Sequence, residues 1–175
     1  MESLTAEKML QALKALDALL TVNTGLIIGG GGAMLLAHQF PLATADIDAV
    51  PRGLSSDELA PFIEQVAKEL ELPLDWLNPW YSNFTYVLPP DFADRLVDVF
   101  SGRHLVAQAL GKEDLLVMKC FAHRPKDVAH ARALVRAGAD LDMVFGRIED
   151  LRKRKIPEAK PAQDFLEDIL DKEGR

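Results

Sequence analysis

Four consecutive glycines, Gly29 to Gly32, constrain the fold of this chain more than any other feature. They follow Leu26-Ile27-Ile28, which predicts a short buried strand, and precede Ala33-Met34-Leu35-Leu36-Ala37, which predicts the start of a helix. Glycines can take positive φ angles and leave no Cβ to block a ligand, while the first N–H groups of a helix point outward. The run therefore predicts a phosphate-sized anion site, and a tight turn without a ligand is the alternative.

A pair of acidic residues follows the glycines at a spacing of two. Asp46 and Asp48 lie within Ala45–Val50, which predicts a strand that Pro51 ends. In a strand this spacing sends both carboxylates to the same face. Two adjacent carboxylates repel unless a cation joins them, and oxygen ligands suit Mg²⁺. The pair predicts a metal site, and a solvated strand edge or a capping pair is the alternative.

Two common phosphate-binding motifs are excluded by inspection. A dinucleotide fingerprint needs glycine or alanine at its sixth position, but that position is Met34 counting from Gly29 and Leu35 counting from Gly30. A P-loop needs a lysine at the end of the glycine loop, and no lysine lies between Lys14 and Lys68. The acidic pair must therefore supply the chemistry.

These residues resemble a known family. Gly30-Gly31 followed by Thr44-Ala45-Asp46-Ile47-Asp48 resembles the signature of the nucleotidyltransferase superfamily, which has the polymerase-beta-like fold. Further along, Glu113–Lys119 and Arg124–Asp127 resemble a segment of small, mostly uncharacterised bacterial members. Some of these relatives act in toxin-antitoxin or phage-defence systems. The resemblance implies an α+β fold and a transferase that uses a nucleotide substrate.

The implied reaction moves a nucleotidyl group from an NTP, such as ATP, to a hydroxyl or phosphate acceptor on RNA or protein. The resemblance implies that Gly30, Gly31 and Thr44 bind the nucleotide. Asp46 and Asp48 would be catalytic and would bind one or two Mg²⁺ ions that neutralise developing charge. The rival hypothesis is a catalytically inactive member that serves as a binding or antitoxin-like protein, because fold does not settle activity.

A complete two-metal site takes a third carboxylate, and Asp98 in Arg95–Phe100 is the candidate. Its apolar neighbours favour a strand, and we predict it as a third catalytic and metal-binding residue. A surface aspartate on an edge strand is the alternative. In that case the protein would bind nucleotide without turning it over.

Lys119 and Asp127 are predicted to bind the nucleotide in the second half of the chain. On a helix over Glu113–His123, Lys119 falls on or beside the apolar stripe, so its charge needs a partner. Phosphate and Asp127 are the two candidate partners, and a lysine stem lying along the core is the alternative. Asp127 could also act only as a helix-capping residue.

Other site chemistries have weaker signals. The four histidines show no metal-ligand spacing with the lone Cys120, which is predicted to be buried in the core. Trp76, Trp80 and Tyr81 could line a base pocket, although core packing is the preferred interpretation. The basic run Arg152–Lys155 is typical of a solvated helix end rather than an RNA site.

Composition favours one cytoplasmic domain. With 175 residues and one cysteine the chain can build a core without disulfides, and the net charge of -7 argues against a nucleic-acid-coating protein. The N-terminus lacks a signal-peptide pattern, and Leu26–Ala37 is too short to span a bilayer, so no membrane association is expected.

The predicted organisation is a nucleotidyltransferase-like small mixed sheet packed against helices over residues 1–110. A helical part of the same domain covers 111–155, and a linker and C-terminal helix cover 156–175. The apolar face of the last helix is expected to pack on the domain or on a protein partner. The other predicted elements are helices over Ala6–Leu20, Asp57–Leu70 and Glu113–His123 and strands over Phe84–Leu88, Leu96–Phe100 and Leu105–Ala109.

Overall fold

The computed structural model of this chain describes residues 4–41, 44–80 and 85–175. The chain forms two compact units, Met1–Ser82 with Leu96–Leu110 and Asn83–Arg95 with Gly111–Arg175. In this division residues 85–95 belong with the helices of the second unit rather than with the sheet.

A five-stranded mixed sheet forms the centre of the first unit, with the strand order β3-β2-β1-β5-β4. The strands are β1 Thr24–Ile28, β2 Ile47–Arg52, β3 Leu77–Asn78, β4 Val97–Ser101 and β5 Leu105–Ala109. β1 lies antiparallel to β2 and parallel to β5, β3 is parallel to β2, and β4 is antiparallel to β5. The prediction of an α+β fold with a small mixed sheet is confirmed.

Three helices belong to the first unit: α1 Ala6–Leu19, α2 Gly30–Ala37 and α3 Ser56–Glu69. The helix predicted near the N-terminus is confirmed as α1, which buries Met9, Leu13 and Leu16, whereas Leu10 is exposed. α3 begins with a capping box, in which Ser55 and Glu58 each accept a hydrogen bond from the other's backbone N–H.

The strand β2 extends beyond the proline that was predicted to end it. Among the described residues it pairs with β3 only at Ile47 and Asp48. Pro51, which lacks an N–H donor, lies opposite Leu26 of β1, and no residue of the described ranges pairs with it on the other side of the strand, where a missing donor is tolerated.

The second unit is helical. It contains α4 Lys112–Ala122, α5 Asp127–Arg136, α6 Leu141–Lys153 and α7 Ala159–Lys172, with 3₁₀ turns at Thr85–Val87 and Phe92–Arg95. In the described ranges 4–41, 44–80 and 85–175, no helix has the length and apolar character that a bilayer crossing requires.

The strand predicted over residues 84–88 is wrong over its described part, which forms a 3₁₀ turn. Phe84 lies outside the described residues. Pro89 and Pro90 follow this turn and lack the N–H donors that a strand ladder requires. The carbonyls of Val87 and Leu88 instead accept hydrogen bonds from the guanidinium of Arg147, at 2.7 and 2.8 Å.

The last helix packs within its own unit. α7 begins at Ala159 rather than after Lys160, and Pro161 falls in its first turn, where a missing N–H costs little. Leu166 and Ile169 are buried where α7 contacts α4, α5 and α6. The apolar face of α7 was predicted to pack either on the domain or on a protein partner. The structure has the first arrangement, so this face is not available to a partner.

Candidate functional site

The glycine run forms a corner between β1 and α2. Gly29 is the N-cap of α2 and provides no side-chain cap, so the first-turn N–H groups are left to other acceptors. Gly30 has φ +55°, a left-handed conformation that favours glycine. A Cβ on Gly32 would lie 3.3 Å from Cγ2 of Ile28, so α2 packs tightly on the sheet there. The corner needs its glycines for both conformation and packing.

Asp48 of β2 lies against this corner. Its backbone carbonyl accepts a hydrogen bond from the N–H of Gly29 at 2.9 Å. A Cβ placed on Gly30 would lie only 2.7 Å from Oδ2 of Asp48, well inside contact distance. The absence of a side chain at Gly30 therefore makes room for the carboxylate, which is directed at the first turn of α2.

Asn78 is a site residue that the sequence interpretation missed. Its amide Nδ2 donates a hydrogen bond to Oδ1 of Asp48 at 3.0 Å, and its Oδ1 accepts one from the backbone N–H of Trp80 at 3.2 Å. Asn78 belongs to the two-residue strand β3, which is too short for a periodicity signal. Only the pairing of β3 with β2 brings it beside Asp48.

Asp46 precedes β2 and is half-buried, as is Asp48, while Ile47 and Ala49 are fully buried. This alternation is the one expected for a strand with its acidic residues on the opposite face from the core. The hydroxyl of Thr44 donates to the backbone carbonyl of Asp46 at 3.1 Å, which shapes the turn that leads into β2.

A cavity of about 420 Å³ lies beside Asp46 in the first unit. Its wall is mainly apolar, and Asn78 and the exposed indole of Trp80 also border it. Trp76 is fully buried and its Nε1 donates to the carbonyl of Ile63, so it belongs to the core as predicted. Tyr81 lies outside the described residues.

Asp98 is not brought to the acidic pair. It lies on the edge strand β4, is exposed, and accepts a hydrogen bond from Gln108 at 2.7 Å. The strands β5 and β1 separate β4 from β2, which corresponds to roughly 14 Å at a strand spacing of about 4.8 Å. Across the described parts of the chain, no three acidic, histidine or cysteine side chains form a metal-binding group. The structure therefore agrees with the alternative interpretation, in which Asp98 is a surface aspartate on an edge strand.

Lys119 and Asp127 form a buried ion pair in the second unit. Nζ of Lys119 lies 3.0 Å from Oδ1 of Asp127, and their side chains are 6% and 0% exposed. Nε of Arg124 donates to the other carboxylate oxygen at 2.7 Å. Of the two partners predicted for Lys119, the structure has Asp127, and this pairing supports a structural role rather than nucleotide binding.

The charge state of this cluster follows from its contacts. Burial alone would raise the pKa of Asp127, but the hydrogen bonds from Arg124 and Lys119 outweigh it and hold the pKa below its usual value. Burial raises the pKa of the Cys120 thiol, which agrees with its predicted role as a core residue. At the other end of the unit, Arg152 pairs with Glu149 on an exposed helix end.

The residues present at the corner fit a divalent cation and a phosphate. Asp48 offers a carboxylate oxygen to hard cations, and Asp46 adds a second carboxylate nearby in the chain. Oδ2 of Asp48 lies 2.7 Å from the point that a Cβ would take at Gly30, and the first turn of α2 offers backbone donors to an anion. Asp46 and Asp48 would hold the cation, and the backbone N–H groups of the first turn would hold the phosphate.

The fold and this corner define a nucleotidyltransferase-like protein, and the comparison with protein families agrees. The family described as a nucleotidyltransferase of unknown function (DUF6036) matches residues 7–171. The chain therefore belongs to this nucleotidyltransferase family, and the superfamily resemblance predicted from the sequence is confirmed. No curated protein and no solved structure matches the chain.

Proposed function

We propose that this protein transfers a nucleotidyl group from an NTP to a hydroxyl or phosphate acceptor in a reaction that depends on Mg²⁺. The observation that carries the proposal is the placement of Asp48 Oδ2 against Gly30, at the first turn of α2. A carboxylate and a helix N-terminus at one point suit a cation and a phosphate that are bound together.

In this proposal the backbone N–H groups of Gly30 and Gly31 bind the triphosphate, and Asp46 and Asp48 hold one Mg²⁺ ion. Thr44 shapes the turn that carries Asp46. When bound, the ion neutralises charge that develops on the phosphate oxygens. With Asp98 about three strands away from Asp48, we propose one ion rather than two.

The reaction is an in-line displacement at the α-phosphorus. The acceptor oxygen forms the new P–O bond, the bond from the α-phosphorus to the bridging oxygen breaks, and pyrophosphate leaves. The proton of a hydroxyl acceptor goes to solvent or to a carboxylate at the site. The rigid sheet supports this chemistry because phosphoryl transfer depends mainly on positioning and on electrostatic stabilisation.

The cavity beside Asp46 is the proposed site for the organic part of a substrate. Its volume of about 420 Å³ falls within the range of small-molecule pockets. The indole of Trp80 is 58% exposed at its border, where a planar ring could stack on it. A substrate bound in this cavity would reach Asp46 from the side of β3.

Label transfer tests the proposed function. The protein is incubated with each α-labelled NTP, Mg²⁺ and total cellular RNA and protein, and each pool is analysed for label. We expect label in one pool, dependent on Mg²⁺ and lost in the Asp46→Ala, Asp48→Ala double variant. Equal labelling by wild type and double variant would contradict the proposal.

One observation favours the second candidate, an inactive member that acts as a binding or antitoxin-like protein. A third carboxylate does not join Asp46 and Asp48 within residues 4–41, 44–80 and 85–175. Thermal unfolding with each NTP plus Mg²⁺ separates the two candidates. A rise in melting temperature that requires Mg²⁺, together with label transfer, supports the enzyme. The absence of both supports the binding protein.

A further inference from the structure

The position of Asn78 follows from the pairing of β2 with β3. The two strands run parallel and pair only over two residues, with Ile47 opposite Leu77 and Asp48 opposite Asn78. Paired residues of neighbouring strands send their side chains to the same face. The amide of Asn78 is therefore placed beside the carboxylate of Asp48 by the backbone itself.

The orientation of this amide is fixed by its second hydrogen bond. Its Oδ1 accepts from the N–H of Trp80 at 3.2 Å, so its NH₂ group faces Oδ1 of Asp48, at 3.0 Å. A flipped amide would set its oxygen against a carboxylate oxygen and its NH₂ group against an N–H donor. The network therefore selects one orientation, in which Asn78 is a donor to Asp48.

The backbone around Asn78 is held from two sides. The N–H of Ile47 donates to the carbonyl of Trp76 at 2.8 Å, and the hydroxyl of Ser56 donates to the carbonyl of Pro79 at 2.7 Å. These bonds join the β3 segment to β2 and to the start of α3. A donor that is held in this way keeps its direction when a ligand arrives.

We propose that Asn78 is a positioning residue that engages Oδ1 of Asp48 and thereby presents Oδ2 to a divalent cation at the glycine corner. This inference rests on the proposed function, which places the cation there. Oδ1 carries the hydrogen bond from Asn78, and Oδ2 lies against Gly30. Because an amide is neutral, it orients the carboxylate without cancelling the negative charge that attracts the ion.

The affinity of the full chain for Mn²⁺ alone, measured without nucleotide by electron paramagnetic resonance, tests this role. We expect the Asn78→Ala variant to bind Mn²⁺ about tenfold more weakly than wild type, as is common when a group that orients a metal ligand is removed. Asn23→Ala is the matched control. Asn23 is exposed, precedes β1 at the opposite end of that strand, and should leave the affinity unchanged.

A second variant distinguishes positioning from a general effect on folding. Asn78→Leu keeps the approximate size of the side chain and removes its donor to Asp48. We expect this variant to bind Mn²⁺ about tenfold more weakly than wild type, as Asn78→Ala does, because neither side chain holds Oδ1 of Asp48. A residue with only a structural role would lower the melting temperature in both variants and leave the Mn²⁺ affinity of the folded protein unchanged.

The outcomes separate this inference from the proposed function. If Asn78→Ala binds Mn²⁺ as tightly as wild type and Asn23→Ala, the positioning role is overturned while the metal site stands. If wild type itself binds no Mn²⁺, the metal site and the positioning role are both overturned. If Asn78→Ala does not fold, the Mn²⁺ affinity of Asn78→Leu decides, and an affinity equal to that of wild type overturns the inference.

Discussion

Two aspartates that the sequence marks as functional have opposite surroundings. Asp48 in the first unit is half-buried and its side chain accepts from the neutral amide of Asn78. Asp127 in the second unit is fully buried and its side chain accepts from the cations Lys119 and Arg124. In the described part of the chain, no lysine or arginine forms an ion pair with Asp48.

The comparison shows that charge balance distinguishes a ligand site from a structural ion pair. A buried carboxylate that is paired with cations has its charge compensated within the protein, and breaking the pair is costly. A carboxylate that is held by a neutral donor retains a charge that an external cation can use. By this criterion Asp48 is the carboxylate suited to bind a metal, and Asp127 stabilises the second unit.

The largest expected effect is on activity. We expect the Asp46→Ala, Asp48→Ala double variant to lower nucleotidyl transfer by about 10³-fold or more, because the metal contributes several kcal/mol to stabilising the transition state. Label transfer from an α-labelled NTP measures this loss.

Asp98→Ala is the matched control for that experiment. Asp98 is an exposed aspartate on the edge strand of the same sheet, and its removal should change transfer by less than about twofold. A loss with Asp98→Ala as large as with the double variant would show that the third carboxylate reaches the site during catalysis.

The next largest effect is on stability, for which we expect Asp127 to matter more than Asp48. We expect Asp127→Asn to lower the free energy of unfolding by about 3 kcal/mol, because it leaves the ammonium of Lys119 buried without a counter-charge. Asp48→Asn should change it by less than about 1 kcal/mol, since no cation loses its partner. Urea unfolding measures both values.

Asp164→Asn provides a control on the surface. Asp164 forms an exposed pair with Lys160 on α7, and such pairs contribute less than about 1 kcal/mol. Equal losses in Asp127→Asn and Asp48→Asn would remove the distinction between the two carboxylates.

Much of the fold could be predicted from the sequence. Period-2 and period-3.6 patterns identified α1, α3, α4, β1 and β5, because each of these elements buries one face or lies wholly inside. The strand predicted near residue 86 failed because the carbonyls of Val87 and Leu88 accept hydrogen bonds from Arg147, about sixty residues away, and not from a neighbouring strand. The two-residue strand β3 has no local signal, since its only support is its pairing with β2.

The candidate site could be predicted only where the motif is local. The glycine corner and Asp48 lie in successive parts of the chain, because only α2 and its following loop separate β1 from β2, so the sequence indicated their proximity. Asn78 and Asp98 depend on strand order, which a single sequence does not specify. The motif around Lys119 and Asp127 is also local, but the sequence does not reveal whether two opposite charges bind each other or a ligand.

A glycine substitution tests the close contact at Asp48. We expect Gly30→Ala to lower the free energy of unfolding by about 2 kcal/mol, because φ is +55° and the new Cβ would meet Asp48 Oδ2. It should also weaken Mn²⁺ binding, since the carboxylate must move.

Gly146→Ala is the matched control, because Gly146 lies in α6 with open space around its Cβ position. This variant should gain about 0.5–1 kcal/mol in the free energy of unfolding. Unchanged Mn²⁺ affinity in Gly30→Ala would separate the corner from the metal site.

The smallest expected effect concerns pH and the ionic cluster of the second unit. Burial, together with the nearby charge of Lys119, lowers the pKa of His130 from 6.5 to about 4 against the opposing effect of Asp127. Between these pH values the unfolded chain binds a proton at this histidine that the folded protein does not, so stability falls as the pH falls from 6.5 to about 4. We expect this loss to be about 1–2 kcal/mol in wild type and absent in His130→Leu, as measured by urea unfolding across the window.

His123→Asn, at an exposed histidine with positive φ that asparagine tolerates, should retain the wild-type slope. If the free energy of unfolding of His130→Leu depends on pH as in wild type, the ionic cluster does not disfavour a further positive charge. That result would weaken the contrast between this cluster and the acidic corner of the first unit.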